Sequence, residues 1–206
     1  MRDEKISDFL ARLADRVPAP GGGAAAALHA AQAAALLGMV ARYSTGERYA
    51  KHKRIIERII TETDELRSTA LRLAEDDTAA FTAVADAYKL PKDTDKAKAA
   101  RSAAVANALI GAGEPPAEVI AAARVAVELA EELLPIGNRN VITDIAAATE
   151  AARAAATTAR VNVEINLDGI TDEQARAELA AEADKVDDIA ARAEQVTAAV
   201  RKEITR

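Results

Sequence analysis

Two carboxylates stand side by side at Asp76 and Asp77, inside the run Glu75-Asp76-Asp77, and the rings of Phe81 and Tyr88 follow them. Neighbours on a helix point about 100° apart, so the two acids cannot share a face. One of them can turn inward while the other stays solvated. Asp77, Phe81 and Tyr88 recur at helical spacing and fall on one face, which sets a carboxylate beside two rings. An acid in that setting has its pKa raised by desolvation and can shuttle a proton. Taken by itself, the run reads more readily as a solvated acidic patch, as charge runs generally do. A second polar group is Gly137-Asn138-Arg139-Asn140, followed by Thr143-Asp144. Asn side chains ahead of a helix either cap it or exchange hydrogen bonds with a flat heterocycle, and capping needs only one of the two. A third is Asn162, Glu164 and Asn166, where two alternate Asn residues exceed what ending a helix requires.

The glycines Gly21, Gly22 and Gly23 follow Pro18-Ala19-Pro20 and open an apolar run from Ala24 to Val40, broken only by His29 and Gln32. A helix that is apolar on every side is expected to be buried on every side. Glycines at its start let another group approach the backbone and leave unpaired N–H groups at the positive end of the helix dipole. The segment therefore reads either as a buried helix aimed at an anionic group or as a flexible turn before a core helix. Around it the pattern predicts an all-α chain, a multihelical bundle around a buried central Ala-rich helix. Ile6, Phe9, Leu10 and Leu13 mark one face of a short first helix that stops at Pro18. A long amphipathic segment from about Glu47 toward Tyr88 offers Ile55, Ile59, Ile60, Leu66, Leu71 and Leu73 to the core. A helix from about Thr94 to Ile110 is predicted to stop at Gly111 and Gly113, with a new one starting at Pro115-Pro116. Another runs from about Asn140 to Val163; Val161 to Leu167 alternates briefly, as a strand would, but with no partner strand it reads as the frayed end of that helix. The last starts at the capping box Thr171-Asp172-Glu173-Gln174 and carries Leu179, Ala183, Val186, Ala190, Ala193, Val196 and Val200 on one stripe.

Composition narrows the functions open to the chain. Its 206 residues suit one domain, residues 1 to 206. Half are apolar but only 2% are aromatic, so the core is built from Ala, Leu, Ile and Val, and thin side chains suit close helix packing. Thirty-three acids against 27 bases give a net charge of −6, with the bases dispersed, which argues against nucleic acid as a partner. No cysteine is present, so thiolate chemistry, disulfides and Cys-ligated zinc are excluded. His29 reads as a core or interface histidine, because one imidazole without acidic or histidine neighbours makes a poor metal site, and no metal is expected. The N-terminus lacks an apolar signal-like stretch and the Ala-rich run is weakly apolar for a membrane span. A cytoplasmic protein with no membrane partner is expected.

Four segments, in order, carry a resemblance. Pro18-Ala19-Pro20-Gly21-Gly22-Gly23, Asp76-Asp77-Thr78-Ala79-Ala80-Phe81 through Ala87-Tyr88-Lys89-Leu90-Pro91-Lys92, Gly137-Asn138-Arg139-Asn140-Val141-Ile142-Thr143-Asp144, and Asn162-Val163-Glu164-Ile165-Asn166-Leu167 resemble the cyclodeaminase/cyclohydrolase family of folate enzymes. The chain departs from that pattern at His29 and Arg160, where the family has small or apolar residues, and in a shorter, less basic segment before Tyr49. The resemblance implies a helical bundle assembled as a homodimer or larger homo-oligomer, acting on a folate with no cofactor beyond the tetrahydrofolate substrate. It implies either hydrolysis of 5,10-methenyltetrahydrofolate to 10-formyltetrahydrofolate or cyclodeamination of formiminotetrahydrofolate, or else a non-catalytic folate-binding module of the same fold. Both reactions pass through one tetrahedral carbon and need a carboxylate to move protons, a basic group, and amides to hold the pterin. On that reading Asp77 or Asp144 is the acid/base, Lys92 is a second catalytic or binding group, and Gly21, Gly22, Gly23, Tyr88, Asn138, Asn140, Asn162 and Asn166 line the folate site.

Overall fold

The structure, a computed structural model, describes residues 3–205. Seven α-helices and two short 3-10 turns make it up, and no strand occurs among the described residues. They are α1 (Ile6–Leu13), α2 (Gly22–Tyr43), α3 (Lys53–Lys89), α4 (Asp95–Leu133), α5 (Ile142–Leu167), α6 (Glu173–Ala183) and α7 (Val186–Ile204). The turns at Glu47–His52 and Arg139–Val141 lead into α3 and α5.

α2, α3, α4 and α5 form an antiparallel up-down-up-down bundle. Gly23 meets Asp77 and Gly38 meets Thr63, so α3 descends beside α2. Arg72 reaches Glu118 and Arg58 reaches Glu132, so α4 climbs beside α3. α5 descends again, with Asn166 bonded to the Ala112 carbonyl of α4. α7 packs on α5, joined by Arg160 to Asp187 at 2.6 Å and by Thr149 to Thr197 at 3.1 Å. Alanine makes this closeness possible. Ala24, Ala26, Ala27, Ala30, Ala33, Ala34 and Ala41 of α2 are all buried, together with Leu37 and Val40. Small side chains bring neighbouring axes to the short end of the usual 8–10 Å range, roughly 8 Å.

α2 is central but not enclosed. Leu28, His29, Leu36 and Met39 are half-buried and Gln32, Ala35 and Tyr43 are exposed, leaving one line of the helix at the surface. α3, α4 and α5 cover its other sides, which explains an apolarity sufficient by length and composition for a membrane span. α1 lies beside this line and, of the apolar residues on its one face, commits only Phe9 to the core; Ile6 and Leu10 are 78% and 53% exposed.

Five further expectations are corrected. α4 does not break at Gly111 and Gly113 but runs through Pro115 and Pro116 without interruption. Pro115 and Pro116 cannot donate to the carbonyls of Gly111 and Ala112, and the second of these is served instead by Asn166 Nδ2 at 3.4 Å. Both prolines are buried, so packing holds the helix where its own bonds are missing. The last helix is two helices, α6 and α7, parted at Asp184-Lys185. α6 is capped by Asp172 rather than Thr171: its carboxylate accepts from the N–H groups of Gln174 and Ala175 at 3.0 Å. In α3 the inward residue is Ile56, and Ile55 points largely outward. α5 extends to Leu167, so Val161 to Leu167 is helix throughout.

Above the level of Gly22, α3 and α4 outrun the bundle. Their ends, residues 78–111, form a helical hairpin in which only Ala87 and Leu109 are buried, and its corner carries Leu90-Pro91-Lys92-Asp93-Thr94.

Candidate active site at the N-terminus of the central helix

The chain enters α2 through a cis Ala19–Pro20 bond and Gly21. Gly21 is the N-cap and makes no side-chain cap, so the first N–H groups of α2 need partners from elsewhere. Asp77 supplies one. Its carboxylate accepts from the Ala24 N–H, although the two residues lie on different helices. The approach is close because Gly23 has no side chain: a Cβ there would overlap the whole carboxylate, with Oδ2 only 2.7 Å away. Gly22 is faced by the Asn162 amide of α5, whose Nδ2 would lie 3.5 Å from a Cβ at that position.

Asp76 and Asp77 divide the two roles open to adjacent acids. Asp76 turns away and pairs with Arg72 at 2.6 Å, and Arg72 also reaches Glu118. Asp77 is half-buried, and burial raises its pKa above the ordinary carboxylate value; the Ala24 N–H opposes the shift but does not cancel it. The positive end of the α2 dipole faces the same carboxylate. Asn162 donates Nδ2 to the Thr158 carbonyl, and Asn166 donates Nδ2 to the carbonyls of Asn162 and Ala112. Their Oδ1 atoms accept nothing among the described residues. The α2 N-terminus thus gathers a carboxylate of raised pKa and an amide acceptor beside glycines that admit a ligand to the backbone, with a second amide one turn farther along α5.

Phe81 lies one turn beyond Asp77 on the same face of α3 and is 47% exposed. Tyr88 follows on that face, exposed, with the Arg101 guanidinium over its ring at 5.4 Å. Lys92 is exposed at the hairpin corner, well beyond Asp77 along α3.

Asn138, Asn140 and Asp144 are elsewhere. Asn138 sits at the opposite end of α2, about 30 Å from Gly22 by the rise of an α-helix. Its N–H donates to the buried Ser44 hydroxyl at 2.8 Å and its Nδ2 to the Tyr43 carbonyl at 2.9 Å. Its Oδ1 accepts from the Asn140 N–H at 3.0 Å. Asn138 therefore closes the end of α2 and caps the turn into α5. Arg139 pairs with Glu203 of α7, while the Asn140 side chain is exposed and Asp144 is half-buried in the first turn of α5. Within one chain these residues do not join Asp77. No cluster of three His, Asp or Glu side chains that could hold a metal occurs among the described residues. The partnership of Gly23, Ala24 and Asp77 was the piece that the linear sequence did not reveal, since glycine and acid are far apart in it; the only sign was a glycine triplet with no capping side chain.

Residues 5–185 match the family model described as formiminotransferase-cyclodeaminase. A methenyltetrahydrofolate cyclohydrolase of Methylorubrum extorquens is 39% identical over 171 residues, 82% of each chain. The formimidoyltransferase-cyclodeaminase of Sus scrofa is 34% identical over 178 residues, covering 84% of this chain and 32% of the longer protein. The crystal structure of a formiminotetrahydrofolate cyclodeaminase from Thermotoga maritima superposes with a TM-score of 0.88 at 29% identity, covering 100% of this chain and 99% of that one. With the glycine-opened central helix, the inward acid and the paired Asn residues in their expected order, the chain belongs to the formiminotransferase-cyclodeaminase family.

Proposed function

We propose that the protein hydrolyses 5,10-methenyltetrahydrofolate to 10-formyltetrahydrofolate at the N-terminus of α2. The observation that carries the reading is the Asp77 carboxylate seated on Gly23 and the Ala24 N–H, half-buried and with spare acceptor capacity. The cyclohydrolase relative, alike over most of both chains, favours this reaction. Asp77, ionised, balances the amidinium charge of the substrate and takes a proton as water attacks the bridging carbon. The new C–O bond gives a tetrahedral carbon. The C–N5 bond then breaks with a proton delivered to N5, leaving the formyl group on N10. One proton is released overall. Asn162 and Asn166 present carbonyl oxygens to the N–H groups of the pterin, and Lys92 at the hairpin corner meets the acidic end of the folate. No cofactor beyond the substrate enters.

A second reading, cyclodeamination of formiminotetrahydrofolate, is favoured by the structural likeness to the Thermotoga maritima protein. Here N10 attacks the formimino carbon and ammonia leaves. Loss of methenyl absorbance without ammonia release supports the first reading, ammonia from the formimino substrate supports the second, and neither reaction in a folate-binding protein moves the assignment to a non-catalytic module.

We further propose a homo-oligomer paired along the open line of α2. That line is centred near Gln32, midway between Gly22 and Tyr43, so antiparallel pairing of two copies would bring Asn140 and Asp144 of one toward Gly22 and Asp77 of the other. Mixing inactive Asp77→Asn with an inactive Asn140→Ala variant tests it. Recovered turnover indicates a shared site; none, with both variants still dimeric, indicates sites complete within one chain.

A further inference from the structure

α3 ends because Pro91 cannot continue it, and the ending leaves a carbonyl open. In a continued helix the Tyr88 carbonyl would accept from residue 92, and a tightened last turn would use residue 91, whose nitrogen carries no hydrogen. Leu90 N–H instead closes on the Ala87 carbonyl at 3.3 Å. Arg101, on the second turn of α4, takes up the open group. Its Nε and Nη2 both donate to the Tyr88 carbonyl, at 3.2 and 3.1 Å, while its guanidinium lies over the Tyr88 ring. A planar fork can bond and stack at once; an ammonium cannot. Among the described residues these are the only side-chain hydrogen bonds that join the end of α3 to the start of α4. The corner they close is the one that holds Lys92.

We infer that Arg101 is a positioning residue of the reaction: by its hold on Tyr88 it fixes the α3–α4 corner so that Lys92 stands in a constant place over the folate. The inference rests on the folate reading and on a role for Lys92 within it. It makes Arg101 act through Lys92, without itself touching substrate, and a double-mutant cycle reads that directly.

The experiment measures methenyltetrahydrofolate hydrolysis by wild type, Arg101→Ala, Arg101→Lys, Lys92→Met and the Arg101→Ala/Lys92→Met double variant, with thermal unfolding alongside. Expected is a loss of kcat/KM of about tenfold in Arg101→Ala, carried mainly by KM, with little change in Tm because the hairpin is exposed. Arg101→Lys keeps most of that loss. The double variant is no slower than Lys92→Met alone. Additive losses, or wild-type kinetics in Arg101→Ala, overturn the inference and leave the folate reading standing. Wild-type kinetics in Lys92→Met overturn it too, by removing the group through which Arg101 acts. No turnover of either folate substrate by wild type overturns the reading itself.

Discussion

The two ends of α2 are built from similar parts and used differently. At the C-terminal end Asn138 spends its N–H, its amide donor and its amide oxygen on Ser44, Tyr43 and Asn140, and Ser44 is fully buried. At the N-terminal end Asp77 accepts from Ala24 N–H and keeps further acceptor sites, and Asn162 and Asn166 keep their Oδ1 atoms. Polar groups whose hydrogen-bonding capacity is exhausted within the fold stabilise it; groups held in place with capacity to spare can bind and react. The difference assigns the chemistry to the glycine end.

Gly23→Ala is the harshest way to break the comparison. Its Cβ evicts the Asp77 carboxylate from the Ala24 N–H, and turnover should fall by at least about 100-fold, in line with loss of a general base, with unfolding easier by about 1–3 kcal/mol. Gly22→Ala, whose Cβ finds its nearest neighbour at 3.5 Å, should keep the fold and the Asp77 contact and lose clearly less activity than Gly23→Ala. Steady-state assay and denaturant titration of the pair measure the contrast.

The acid itself gives the next test. Because the pKa of Asp77 is raised in the folded state, the folded protein binds its proton more readily than the unfolded chain does. The ionised form therefore carries a stability cost that is fully present above the raised pKa and disappears as pH falls below the ordinary value near 3.8. Asp77→Asn, which retains an acceptor for Ala24 N–H, should be as stable as wild type or slightly more so at neutral pH, and that difference should vanish at low pH. The acid limb of kcat/KM should follow the same group, with an apparent pKa above the usual carboxylate value. Thermal unfolding as a function of pH and a pH–rate profile check both statements.

Smaller effects on stability are expected from single side-chain hydrogen bonds within the frame. Asn138→Ala should cost about 1–2 kcal/mol of stability by leaving the Tyr43 carbonyl and the turn into α5 unserved, measured by urea unfolding. Asn166→Ala should cost about 1 kcal/mol, since it frees the carbonyl that Pro116 has already deprived of its helical donor. A loss there of several kcal/mol would show that the prolines depend on Asn166 more than their packing implies.

Much of this was legible in the residues. The central helix, its glycine opening and the opposed directions of Asp76 and Asp77 follow from apolar spacing and helical geometry. The parting of α6 from α7 was not, because Leu179, Ala183, Val186, Ile189 and Ala193 keep helical spacing across Asp184-Lys185 and no glycine or proline marks the turn. Pro115-Pro116 misled in the other direction: proline rules describe an isolated helix, and burial between neighbours outweighs two missing bonds. The site was overdrawn against the chain's own helix pattern: Asn138 and Asn162 look alike as residues but stand at opposite ends of α5, a helix length apart.

The most direct test of the central claim is the rate of methenyl chromophore loss with Asp77→Asn and Asp144→Asn, each compared with wild type at equal folded concentration. The account predicts a fall of at least about 100-fold for Asp77→Asn and a smaller one for Asp144→Asn. Full turnover in Asp77→Asn would contradict it and move the chemistry away from the N-terminus of α2.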